Sequence, residues 1–152
     1  MSQTVPKTEE QTLTLRLERH FTAPPEAVFR AWTDPKALAA WFGPDGVSCR
    51  KVEVDLRPDG RYSLEMYEAD GVYPLSGTYR EVSPPDRLVF TWTWGHGELE
   101  GLEMLVTIEL RAADGGTDLT LIHEKLPSDT ACEKHQFGWT GCLDGLEQFL
   151  AA

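Results

Sequence analysis

Imidazoles, thiols and indoles are the groups in this chain with chemistry beyond packing, and their spacing limits what that chemistry can be. His123 follows Leu119 and Leu121 at intervals of two, so on a strand the face that carries two leucines also carries an imidazole inward. A neutral histidine there can hydrogen-bond a ligand or act as a general base, and His135 in the last segment could approach it. A histidine bonded to backbone or helix groups fits the same pattern, and no nucleophile is recognisable beside His123. Cys132 and His135, at i and i+3, could offer two ligands on one helical face, with His123 or Cys142 completing a set. No paired CxxC or HExxH run supports this, so neither a metal nor a cofactor is expected.

The aromatic residues form a second candidate group. Phe90, Trp92 and Trp94 alternate along one strand and Met104 and Val106 along another, while Tyr62, Leu64 and Met66 line a third. Trp139, Cys142 and Leu146 recur at helical spacing opposite them. Together with His123 and His135 these residues could line a pocket for a planar or lipid-like ligand, with Tyr62 and Tyr79 as polar handles at its edge. Ordinary core packing produces the same pattern. The carboxylates Glu53, Asp55, Glu65, Glu68, Glu103 and Glu109 alternate with apolar positions as a solvated sheet face does, so no residue is assigned a catalytic role. Gly95-His96-Gly97 lacks the third glycine and strand-to-helix context of a dinucleotide site and reads as a hairpin loop.

The elements that must hold these groups follow from periodicity. Leu13, Leu15 and Leu17 alternate with polar residues, which predicts a strand from about 12 to Phe21. Pro24-Pro25 opens a helix over about 25–33. Asp34-Pro35 then reads as an N-cap and first turn for a second helix through Leu38, Trp41 and Phe42, closed by Gly43-Pro44. The loop Gly43-Pro44-Asp45-Gly46 could serve as a cavity entrance or partner patch, or could simply pack this helical V on the sheet.

Between Val47 and Leu126, five turn signals separate six alternating runs: Pro58-Asp59-Gly60, Asp70-Gly71, Ser83-Pro84-Pro85-Asp86, Gly95-His96-Gly97 and Asp114-Gly115-Gly116. The expected inward sets begin with Val52, Val54 and Leu56, followed by Tyr62, Leu64 and Met66 and by Leu75, Gly77 and Tyr79. The later three are Leu88, Phe90, Trp92 and Trp94, then Met104, Val106, Ile108 and Leu110, and then Leu119, Leu121 and His123. Ser128 caps a last helix of some 23 residues, roughly 35 Å long, with His135, Trp139, Cys142, Leu143, Leu146 and Phe149 on one stripe. Gly141 and Gly145 cost it helix propensity, so packing must hold it.

The chain has 152 residues, which suits one domain over 12–152 behind a frayed leader, residues 1–11. With 14 basic against 25 acidic residues its net charge is −11, which repels nucleic acid and anionic membranes. No run is long and apolar enough to anchor it in a bilayer. Its three cysteines are an odd number, and Cys132 and Cys142 on one helix would lie about 15 Å apart, so free thiols and a reducing cytoplasmic setting are expected.

The order β, α, α, six β, long α resembles the helix-grip fold of the START-like superfamily, also called birch-pollen-allergen-like or SRPBCC. The run from Ala23 to Pro35 (APPEAVFRAWTDP), with Leu38 and Trp41-Phe42-Gly43-Pro44, is similar to the family named after the activator of the heat-shock-protein-90 ATPase. So are Gly77 to Val82, Pro84 to Trp92, Leu119 to Glu124, and His135 through Gly138-Trp139 to Leu143. The resemblance, over roughly 12–150, implies an α+β fold: a curved seven-stranded antiparallel sheet wrapped on a long C-terminal helix, often around an apolar cavity. In the eukaryotic cochaperone a separate N-terminal domain makes much of the chaperone contact, and here only residues 1–11 precede the fold.

Three functions are therefore expected in turn. The first is a soluble binding module, monomer or homodimer, for a small apolar or amphipathic molecule. The second is a cyclase, dehydratase or hydrolase using His123 as acid or base, and the third a cochaperone-like partner of a chaperone.

Overall fold

A computed structural model describes residues 12–44 and 46–151; the leader expected over residues 1–11, Asp45 and the last residue lie outside the described residues. Strand β1 (Leu13–Phe21) leads into helix α1 (Pro25–Thr33) and helix α2 (Pro35–Trp41). Proline stands at the start of each helix, where its missing N–H costs nothing. Asp34 occupies the N-cap position of α2, but its side chain makes no capping hydrogen bond, contrary to the expectation. The V is tied instead by the Trp41 indole, which donates to the Ala31 carbonyl at 2.8 Å.

Six strands follow, separated at the expected turns: β2 (Ser48–Val54), β3 (Arg61–Glu68), β4 (Gly71–Ser83), β5 (Arg87–Trp94), β6 (Glu103–Ala113) and β7 (Gly116–Leu126). Asp114 and Gly115 both take positive φ, 49° and 79°, in the two-residue link whose twist suits adjacent antiparallel strands. Every neighbouring pair is antiparallel, in the order β1-β7-β6-β5-β4-β3-β2, so the first strand closes onto the last. The turn expected at Gly95-His96-Gly97 is the start of a longer connection, residues 95–102.

The inward faces of β3 to β7 agree with the expected sets, except that Trp94 is only half-buried. Strand β2 departs from it. Its buried residue is Cys49, Val52 and Val54 are half-buried, and Leu56 is 39% exposed beyond the strand end. The pairing with β3 shifts between Arg50 and Glu53, and Lys51 takes φ 55°, so an extra residue in the strand resets which side chains point inward.

Helix α3 (Asp129–Ala151) starts where Ser128 Oγ accepts the Ala131 N–H at 3.1 Å. It buries Ala131, Trp139, Cys142, Leu143 and Leu146, while Phe149 lies off the stripe at 36% exposure and Leu150 packs on the core in its place. Gly145 has a local reason: a β-carbon there would sit 3.0 Å from the Trp41 carbonyl, so glycine lets α3 cross close to α2. Arg19 on β1 bridges to Asp144 and Glu147 at 3.0 and 3.2 Å, fastening this half of the helix to the sheet edge. The architecture is α+β, a seven-stranded antiparallel sheet gripping its C-terminal helix. None of the helices among the described residues is long and apolar enough to cross a membrane.

Candidate functional site

The backbone of the N-terminal half of α3 stands off from β3, β4 and β5, reaching β5 through the side chains of His135 and Trp139, and the space between is a cavity of about 620 Å³. That is within the range of pockets that enclose small organic ligands. Its walls come from alternate residues of the strands: Met66 and Glu68 of β3, Tyr73 of β4, Trp92 and Trp94 of β5. Phe42 and Pro44 enter from the end of the helical V. The facing wall is Ala131, Lys134, His135, Gly138, Trp139 and Cys142, one face of α3.

Trp92 is the hub of the aromatic wall. Its ring lies 4.9 Å from Trp139, 5.5 Å from Trp94 at 87°, and 6.2 Å from Phe42. The Trp94 contact is edge-to-face, a favourable arrangement, and the other two are tilted. Tyr73 in turn stands at 83° to Trp94, 6.5 Å away, and carries the aromatic surface to the mouth.

Two indole-to-imidazole hydrogen bonds brace the wall. Trp139 Nε1 donates to His123 Nδ1 at 3.0 Å, and Trp94 Nε1 donates to His135 Nε2 at 3.2 Å. An indole N–H can only donate, so each imidazole must accept there and carry its proton on the other nitrogen. His135 Nδ1 then donates to the Ala131 carbonyl at 2.8 Å, and His123 Nε2 faces Met104 Sδ at 3.4 Å. Burial, with the nearby His135 as a lesser cause, pushes His123 down to about 3, and burial also lowers His135. Both rings are therefore neutral acceptors near neutral pH. Protonating either would set an N–H against an indole N–H.

Thiol chemistry is suppressed in the same way. Burial raises Cys142 to about 12, against a smaller opposing effect of the Gly43 backbone, and raises Cys49 to about 11. All three cysteines are free thiols. The described residues contain no group of three or more His, Cys, Asp or Glu side chains that could hold a metal ion.

Of the residues singled out in the sequence, Met66, Trp92, Trp94, His135, Trp139 and Cys142 meet around the cavity. Tyr62, Leu64 and Phe90 instead wall a separate void of about 30 Å³, beside Trp32, Tyr79 and the other side of Trp92. The Tyr62 hydroxyl donates to the Thr91 carbonyl, and the indole N–H groups of Trp32 and Trp92 are buried without a hydrogen-bond partner among the described residues. A void of that size is too small for a ligand body.

Met104, Val106, His123 and Leu146 lie behind the wall, each 0% exposed. Period-2 alternation places a side chain inward but does not say whether another ring stands in front of it. The sequence reading missed Glu68, Tyr73, Glu98, Leu99, Lys134, Phe137 and Gly138 as cavity residues. One signal was available for part of this set: Ala131, Lys134, His135, Gly138, Trp139 and Cys142 repeat at three and four, a helical face broader than the apolar stripe.

A curved antiparallel sheet around a C-terminal helix, with a cavity between them, defines the helix-grip class. Residues 22–151 match the family model described as "Activator of Hsp90 ATPase homolog 1-like protein". The chain belongs to that family. A crystal structure of a Chromobacterium violaceum protein is 34% identical, with TM-score 0.84, over 91% of this chain and 97% of that one. A Silicibacter pomeroyi protein bearing the family's name is 33% identical with TM-score 0.82, over 91% and 98%. For a protein of Nitrosomonas europaea the values are 29% and 0.76, over 91% and 94%. A comparison with curated proteins finds no match.

Proposed function

We propose that residues 12–152 act as one binding module, holding a small apolar or amphipathic molecule between the sheet and the N-terminal half of α3. The observation that carries this is the aromatic-walled cavity of about 620 Å³, which opens to solvent beside α3 instead of being filled by it. Turnover with His123 as acid or base is not favoured, because that ring is 0% exposed and both its nitrogens are engaged. The family description refers to a chaperone ATPase; binding is preferred to a cochaperone role because it uses the cavity. Three free thiols suit a reducing, cytoplasmic compartment.

Native mass spectrometry of protein purified from its own host, against a solvent-extracted aliquot, is the test. The expected result is an added mass that extraction removes. Gly138→Leu sharpens it: a β-carbon there meets nothing within 4 Å, so the position has room for a side chain that takes up part of the cavity, and the helix gains propensity. A folded Gly138→Leu protein carrying the same mass in the same amount, or a wild type with none, overturns the reading.

A further inference from the structure

The chemistry of the cavity mouth narrows the class of molecule it takes. Three features meet there: aromatic rings, carboxylates and one ammonium group. Tyr73, Trp94 and Phe137 present rings around the opening, and Phe137 is 79% exposed on α3 despite its size. Glu68 and Glu98 are the carboxylates among the described lining residues, and Lys134 is the one lysine or arginine. Lys134 Nζ is 4.0 Å from Glu98 Oε1, so its charge is already faced by an acid, while Glu68 makes no ion pair among the described residues. Asp70, just outside, accepts a hydrogen bond from the Tyr73 hydroxyl at 3.0 Å and adds a further negative charge.

We propose, building on the binding reading above, that the cavity selects amphipathic cations: an apolar body inside the aromatic walls with an ammonium group at the mouth. An ammonium is attracted both by ring faces and by the carboxylates, and the whole chain, at net charge −11, adds a field of the same sign. A carboxylate-headed amphiphile of the same body meets the opposite field. It would have to compete with Glu98 for Lys134. The indole donors of Trp94 and Trp139 are spent on His135 and His123, and His135 spends its own N–H on Ala131, so none of these offers the carboxylate a hydrogen bond. His135 also supplies no charge, since burial keeps it neutral.

The test uses three probes with one body: 2-naphthylmethyl-trimethylammonium, 2-naphthylmethanol and 2-naphthylacetate, titrated calorimetrically into the full chain at low and high ionic strength. The cation should bind tightest, at least about tenfold better than the anion at low salt, with the gap shrinking as salt screens the mouth. In the double variant Glu68→Gln/Glu98→Gln, which frees Lys134, the cation-to-anion ratio should fall toward one or invert. Equal binding of the three probes, tightest binding of the anion, or a ratio unchanged in the double variant overturns charge selection and leaves the cavity reading standing. Failure of all three to bind also overturns it, while the cavity reading is judged separately by the host-derived mass and Gly138→Leu.

Discussion

The C-terminal half of α3 is seated on its neighbours while the backbone of the N-terminal half stands away from the sheet across the cavity, and two glycines on the one helix mark the change. At Gly145 a β-carbon would press on the Trp41 carbonyl at 3.0 Å; at Gly138 it would meet nothing within 4 Å. Leu143 and Leu146 on the seated half are 1% and 0% exposed, whereas Lys134 and His135 on the other half border the cavity. One element therefore does two jobs. Its last turns complete the core, and its first turns form one wall of a space the core does not fill. Substitutions along the helix should separate stability from binding according to which half they touch.

The largest effect is expected where the helix is seated. Leu146→Ala should cost about 2–5 kcal/mol in urea unfolding, since a fully buried leucine leaves both lost transfer energy and a void. A cost below about 1 kcal/mol would mean that the C-terminal half is looser than described. Next comes the glycine pair, whose signs should be opposite. Gly138→Ala should stabilise by up to about 1 kcal/mol through helix propensity. Gly145→Ala should destabilise, because overpacking of about 1–3 kcal/mol exceeds that gain. Equal shifts in the two urea midpoints would erase the contrast between the halves.

A pH effect of similar size follows from the braced wall. His123 sits at about 3 in the folded chain, below its ordinary value near 6.5, and His135 is lowered too. The unfolded chain thus takes up these protons first, so the stability is present above about pH 6.5 and is lost as pH falls toward 3. Between pH 7 and 5.5, before most carboxylates titrate, the slope should approach about 1.4 kcal/mol per pH unit for His123, with a further contribution of the same sign from His135. His123→Gln keeps an acceptor for Trp139 and should remove one histidine's share; an unchanged slope would mean His123 is not held neutral. The smallest effect is kinetic and leaves the fold intact. Cys132, half-buried, should react with a thiol reagent well before Cys49 and Cys142, and faster labelling of Cys142 would show the cavity wall opening.

Much of this organisation was legible one segment at a time. Leucine alternation before Phe21, the proline-started helices, the Asp114-Gly115 turn and the Ser128 cap are local, and each element formed as expected. Local patterns failed where an added residue or a neighbour intervened. The bulge around Lys51 exchanged the expected apolar set of β2 for Cys49, and Phe149 lost its place on the stripe to Leu150.

The candidate site was half legible for the same reason. Trp92, Trp139 and His135 could be read as inward or on the helix stripe because a side chain's direction depends on its own backbone period. That His123 lies behind Trp139, that loop 95–102 reaches the mouth, and that α3 touches at Gly145 but not at Gly138 depends on volumes brought together from distant segments. The amino-acid sequence by itself determined the strands, the helices and the acidic charge, which arise from neighbours along the chain. Only the tertiary structure decided where the core stops and the cavity begins, because packing is settled between residues far apart in sequence.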